Sequence, residues 1–231
     1  MSRILLINPN TSAATTDMMV AIAQAEMAPG FRVEGISAWH GVPMIINETE
    51  LAEAALEVHR SWLRAGPGWA GVIVSAFGDP GLERVRASTR LPVAGICEAS
   101  MLEAAGDGKA RRFGVATVTP ELTRVIQVRA DELGLGQAYA GIRLTQGAPR
   151  ELAADPEALE HALAEAVRAC VEQDGAEAVV IGGGPLGQAA MRLAPRFEVP
   201  VIAPIPAAVR LLLARLRSAS DEEAQAALSM R

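Results

Sequence analysis

Four short stretches of this sequence bring together small, polar and glycine residues of the kind that hold a ligand against main chain. "NPNTS" at residues 8–12 places Asn8, Asn10, Thr11 and Ser12 after an apolar run and ahead of a helix. Hydroxyls and the unpaired N–H groups of a helix start favour an anion or a carbonyl oxygen. "TVTPE" at 117–121 offers Thr117 and Thr119 in the same way. "SAFGDPGL" supplies Ser75, Ala76, Phe77 and Gly78, and "IGGGPLG" supplies Gly183, Gly184 and Pro185. Three successive glycines, Gly182 to Gly184, remove every Cβ, so a ligand can lie on the backbone and receive its N–H groups. Their order does not match the phosphate-binding or dinucleotide glycine motifs.

Groups able to carry a proton are fewer. Glu98 stands in "GICEA", where an apolar cleft would raise a carboxyl pKa and suit it to general acid or base work. Cys97 beside it, Ser75 and His40 complete the catalytic candidates. Asp79 precedes a proline and is expected to serve the turn. His59 and His161 sit in helical patterns, and Cys170 reads as a small buried hydrophobe. Imidazole and thiolate suit zinc, yet His40, Cys97 and Glu98 show no ligand spacing, so no metal and no cofactor is expected.

These stretches need elements that aim them at one place. Short β-branched runs alternate with helical periods, the pattern of a parallel sheet covered by helices. Strands are expected at 3–8, 32–37, 71–75, 93–96, 113–117, 138–144, 178–181 and 201–203, with helices such as 51–64 and 156–172, the latter capped by Asp155 and opened by Pro156. The second half also repeats the first: Ala76 aligns with Gly183 at an offset of 107, Pro92 with Pro200 at 108 and Arg3 with Arg112 at 109. The expected fold is therefore α/β, two pseudo-symmetric parallel-sheet α/β/α lobes with the active site in the cleft between them, beyond the carboxyl ends of the strands. The lobes are placed at 1–97, completed by a helix over 205–217, and at 98–204, with a tail at 218–231.

Composition limits the partners. The 231 residues are 50% hydrophobic and carry 21 basic against 27 acidic side chains, a net charge of −6, with no basic run suited to nucleic acid. No apolar stretch is long enough to span a membrane. Two distant cysteines suggest a reducing, cytoplasmic setting instead of a disulfide framework. A small-molecule substrate is the expected partner.

The motifs "INPNTS", "FGDPGL" and "PVAGICEA", with the glycine turn after Val180, resemble the Asp/Glu/hydantoin racemase superfamily, most of all its hydantoin racemase branch, up to about residue 217. The resemblance implies paired lobes, cofactor independence, a cytoplasmic location and a homo-oligomer. It also implies two catalytic cysteines on opposite faces of the substrate, and the matching positions here are Ala76 and Gly183. Neither can carry a proton. The expectation is accordingly hydrolysis or elimination at a hydantoin-like ring, including a thiohydantoin, or at a carboxylate substrate, with Glu98 or water doing the proton work. A racemase or isomerase relying on Cys97 and Glu98, and a metabolite-binding protein without turnover, are the alternatives.

Overall fold

The computed structural model describes residues 1–229. In chain order the elements are β1 (Ser2–Asn8), α1 (Ala13–Glu26), β2 (Phe31–Ser37), α2 (Glu48–Ala65), β3 (Gly71–Val74), α3 (Leu82–Ala87), β4 (Val93–Gly95), α4 (Ile96–Ala105), β5 (Phe113–Thr117), α5 (Thr123–Glu132), β6 (Tyr139–Leu144), α6 (Pro149–Ala154), α7 (Pro156–Glu172), β7 (Ala178–Ile181), α8 (Gly187–Leu193), β8 (Val201–Ile202) and α9 (Pro204–Ser229). Short 3-10 turns lie at Pro120–Leu122, Gly184–Leu186 and Ala194–Arg196.

The strands form two four-stranded sheets, ordered β2-β1-β3-β4 and β6-β5-β7-β8. Every neighbouring pair is parallel. The same order occurs twice, as the internal repeat requires. Alternation along each strand sorts its side chains onto two faces. Ile4 and Leu6 of β1, Phe113 and Val115 of β5 and Val180 of β7 enter one apolar cluster shared by both sheets. Leu5 and Ile7 turn outward to Val58 and Val85 under α2 and α3, while Val179 and Ile181 meet Leu163 and Val167 under α7. The lobes thus share a core, and α4 and α9 contribute to it through Met101, Ala104, Val209 and Leu212.

Departures from the expected boundaries have local causes. Ile96 is already helical because Gly95 caps α4, and Pro204 ends β8 by opening α9. Helix α2 starts at Glu48, earlier than its apolar period, because Asn47 Oδ1 accepts from Glu50 N at 2.8 Å and Glu50 Oε2 accepts from Ile46 N at 2.8 Å. Asp155 caps α7 as expected, accepting from Glu157 N and Ala158 N. The tail expected from residue 218 is instead a continuation of α9 as far as Ser229; residues 230–231 lie outside the described part. Helix α9 packs on α1, α4, β3 and β4.

A buried ion network ties the lobes where α4 begins. Asp79 accepts from Cys97 N and Glu98 N, both at 2.8 Å, so a carboxylate sits on the α4 N-terminus. Arg129 of α5 reaches Asp79 Oδ2 at 3.2 Å and Glu98 Oε2 at 3.3 Å. Glu98 Oε1 also pairs with Arg86 of α3 and, at 2.8 Å, with Arg215 of α9, and accepts from Gly95 N at 3.2 Å. Burial pushes the Asp79 carboxyl up to about 7 against the pull of Arg129. Burial pushes Glu98 up as well, but Arg86 and Arg215 outweigh it and hold that carboxyl below the ordinary glutamate range.

Breaking a buried pair by removing one charge strands the others and costs about 3–5 kcal/mol. Glu98→Gln is expected to lower the urea-unfolding free energy by that much near neutral pH. Because the folded-state pKa of Glu98 is depressed, its contribution is complete above the unfolded value of about 4.5 and fades as pH falls through the folded one. The gap between wild type and variant should close at acid pH; a constant gap would show that the ion pairs are not its source.

Candidate active site

The "FGDPG" segment leaves β3 in a turn that few residues tolerate. Gly78, Asp79 and Gly81 have φ of 101°, 50° and 73°. A Cβ on Gly81 would approach Ala55 O to 2.6 Å, so α2 packs where only glycine fits. Asp79 holds its left-handed conformation with its carboxylate locked on the α4 start and on Arg129. Asp79 thus serves a more distant purpose than the local turn expected of it: it fixes the strand end on which Ser75, Ala76 and Phe77 sit.

Between the carboxyl ends of the two sheets lies a cleft of about 510 Å³, part of it open to solvent. From the first lobe come Asn10, Ser75, Ala76 and Phe77, and from the second Thr119, Gly183, Gly184 and Pro185. Positions 76 and 183, aligned by the internal repeat, therefore border the same space. Gly182, the first of the three glycines, lines it too, and six further residues were not singled out as site residues: Met44 and Ile45 from the loop before α2, Leu51 on α2, Val118, Leu122 and Leu186. Apolar wall residues look like core in a sequence; Met44 and Ile45 gain this role only because the loop over 38–47 borders the cleft. Among the described residues lining the cleft, none has an ionisable side chain of carboxyl, imidazole, thiol, amine or guanidine type.

The polar wall is pre-set by its own hydrogen bonds. Asn8 Nδ2 donates to Asn10 Oδ1 at 2.9 Å, and Ser12 N donates to the same oxygen at 2.9 Å. With Oδ1 filled, the Asn10 amide is held in one orientation, and its Nδ2 has no partner among the described residues. At the equivalent place in the repeat, Thr117 Oγ1 donates to Gly182 O and lies 3.3 Å from Thr119 Oγ1. Asn10 and Thr119 line the cleft, while Asn8 and Thr117 are fully buried and brace them. Thr11 and Ser12 lie outside the lining: Thr11 N donates to Val42 O at 3.0 Å, and Ser12 Oγ caps α1 by accepting from Thr15 N at 3.2 Å. Gly78 is likewise outside it. The glycine turn is also less open than expected, because Gly182 N donates to Ala116 O and Gly183 N to Ile181 O. Close packing is its evident demand: a Cβ on Gly184 would come 2.9 Å from Met19 Sδ and 3.1 Å from Ser75 O.

Three of the four expected proton carriers are placed elsewhere. Both oxygens of Glu98 are bound by arginines, outside the cleft lining. Cys97 is fully buried at the α4 start, and burial together with the Asp79 charge pushes its thiol well above the ordinary value. His40 opens onto a separate groove beside α2. Ser75 alone lines the cleft, and its hydroxyl donates to Met19 Sδ at 3.0 Å with no base beside it. The three groups considered for a metal do not meet, and no cluster of three His, Cys, Asp or Glu side chains fit to hold one occurs among the described residues.

With this geometry in view, the likeness to other proteins is specific. Residues 4–212 match the Asp/Glu/Hydantoin racemase family. The chain belongs to that family. It is 30% identical over 213 residues to a hydantoin racemase of Paenarthrobacter aurescens, covering 90% of this chain and 89% of that one. The structure of an allantoin racemase from Klebsiella pneumoniae superposes with a TM-score of 0.87 at 32% identity, covering 95% of this chain and 89% of the other. An allantoin racemase from Pseudomonas fluorescens gives 0.88 at 27%, covering 94% and 92%. These relatives correct the expectation of ring hydrolysis or elimination: the enzyme kind they support is an isomerase of the racemase family. No described helix is long and apolar enough to cross a membrane.

Burial makes a prediction about the thiols. Burial also pushes Cys170 up to about 12, so neither cysteine should react with a thiol reagent in the native protein, and both should react in denaturant. Rapid native labelling of Cys97 would contradict its placement.

Proposed function

We propose that this chain holds a hydantoin-type cyclic ureide between its lobes and interconverts the two configurations at the ring carbon flanked by carbonyl and nitrogen, with water carrying the proton. The observation that carries this reading is the cleft itself: polar donors from both lobes converge on a pocket whose walls are otherwise apolar and without charge. A ring carbonyl oxygen can accept from Asn10 Nδ2 and Thr119 Oγ1. Negative charge gathers on that oxygen as the ring proton leaves, and fixed dipoles in an apolar setting stabilise it more than water does. Ala76 and Gly183 leave space in the same cleft, and a small side chain there admits water to the ring. The scheme needs neither cofactor nor metal. The relatives named as hydantoin and allantoin racemases support the ring chemistry, and the uncharged lining supports water as the carrier.

A second reading has a specific observation behind it. With no ionisable group in the lining, the cleft can equally hold the ring without turning it over. Proton exchange separates the two. Incubation with one enantiomer of benzylhydantoin in deuterated water, followed by proton NMR and optical rotation, should show ring-proton exchange and loss of rotation above the buffer rate. The rate should climb with pH, with no break from a lining side chain, until the ring's own imide N–H ionises. Ligand-induced thermal stabilisation without exchange would leave the binding role alone, and a ring-opened product would contradict both.

Thiols placed at the aligned positions should raise the rate. Gly183 has an extended backbone, φ 166°, and a Cβ there meets the Leu186 side chain, Cδ1 and Cγ both at 3.0 Å, which must give by a few tenths of an ångström. The double variant Ala76→Cys with Gly183→Cys is expected to exchange the ring proton about 10²-fold faster or more, the usual gain from placed acid–base groups. An unchanged rate would mean that these positions do not flank the reacting carbon.

A further inference from the structure

The hydroxyl of Ser75 has an unusual partner for a group that lines a cleft. Ser75 follows Val74, the last residue of β3, and points to the same side as Ile73, which enters the core shared by both lobes. Its Oγ donates to Met19 Sδ of α1 at 3.0 Å. A thioether accepts and never donates, so this contact fixes the direction of the bond: the proton goes to sulfur and the oxygen keeps its lone pairs. Met19 is fully buried, and the glycine turn of the second lobe makes room for it, since a Cβ on Gly184 would come 2.9 Å from the same sulfur. Acceptors elsewhere in the cleft are already engaged. Asn10 Oδ1 receives two donors, and the carbonyls of Ala76, Thr119, Gly182, Gly183 and Gly184 receive Asp79 N, Leu122 N, Thr117 Oγ1, Leu186 N and Gly187 N.

We propose that Ser75, its proton directed at Met19, accepts a hydrogen bond from the ring N–H bonded to the reacting carbon, and that this bond makes the cleft prefer a cyclic ureide to a cyclic imide lacking that N–H. The inference rests on the cyclic-ureide reading of the cleft and adds the ring atom that is held. Ser75 precedes Ala76, the position set over the ring carbon, so the nitrogen attached to that carbon is the one beside it. Asn10 and Thr119 donate to the carbonyl on the carbon's other side, and Ser75 accepts from the donor they leave unpaired. A ring N–H buried without an acceptor weakens binding, whereas a ring with a methylene at that place has no such loss. Met19 acts through Ser75 and is a positioning residue. Without the sulfur, the hydroxyl can turn its proton toward the cleft, where it opposes the ring N–H.

Titration calorimetry of the full chain with dimethylhydantoin and with α,α-dimethylsuccinimide, the same ring with a methylene in place of that N–H, reads the bond directly. The wild type should bind the hydantoin about 3- to 10-fold more tightly, the usual net effect of one hydrogen bond. Ser75→Ala should abolish this preference by weakening the hydantoin and leaving the succinimide unchanged. Met19→Leu, close to it in volume, should shrink the preference in the same way, whereas a packing defect would weaken both rings alike. The Met19 variant also decides the matter if Ser75→Ala is unfolded by circular dichroism. A preference undiminished in either folded variant, or absent from the wild type, overturns the inference and leaves the reading of the cleft in place. No saturable binding of dimethylhydantoin to the wild type overturns both.

Discussion

Two carboxylates, Asp79 and Glu98, are buried almost completely beside the start of one helix, and the fold is arranged to compensate them. Each needs opposite charge or backbone donors, because an uncompensated buried charge would outweigh much of a domain's net stability. The compensation comes from parts of the chain far apart in sequence: Arg86 on α3, Arg129 on α5, Arg215 on α9 and the N–H groups of residues 95, 97 and 98. Helix α5 belongs to the second sheet and α3 to the first, so meeting this one requirement sets the lobes against each other. It also fixes the turn at 78–81, and with it the strand end that presents Ser75, Ala76 and Phe77. The cleft's first wall is therefore anchored by electrostatics, while its second, around Gly182 to Gly184, is anchored by packing against Met19, Val115 and Phe77.

The architecture was readable from the sequence because it rests on periodic signals. All eight strands were located within a residue or two, and the duplication visible in matched turns returns as two sheets of identical order. Half of the cleft was readable for the same reason, since Asn10 and Thr119, and Ala76 and Gly183, stand at repeat-related strand ends. The placement of the proton-carrying candidates was not readable in the same way. A glutamate in an apolar motif looks the same whether it awaits a substrate or three arginines, and Arg86, Arg129 and Arg215 carry no local sign of their common target. The apolar wall from Met44 and Ile45 was missed because a loop crossing a cleft leaves no periodic trace, and Leu51 because an apolar residue on a helix reads as core.

The repeat also explains how a neutral site can still be directional. Asn8 bracing Asn10 and Thr117 bracing Thr119 are the same device in two lobes, an inner polar residue fully buried so that an outer one keeps its orientation. Such preorganisation matters most where no mobile charge is available, since dipoles that need not reorient are what stabilise a developing oxyanion. Membership of a racemase family and a cleft without ionisable lining are reconciled if the protein's task is to make the ring proton acidic and leave its transfer to solvent.

The central claim is that a cyclic ureide lies between Asn10 and Thr119 with residues 76 and 183 over its two faces. The most direct measurement is a crystal structure with dimethylhydantoin, which has no exchangeable proton on the ring carbon and so stays intact. The account predicts the ring in the interlobe cleft, one carbonyl oxygen within hydrogen-bond distance of Asn10 Nδ2 or Thr119 Oγ1. A ring bound elsewhere, or bound in the cleft against a carboxylate, thiol or imidazole carried in by a rearranged loop, would contradict it.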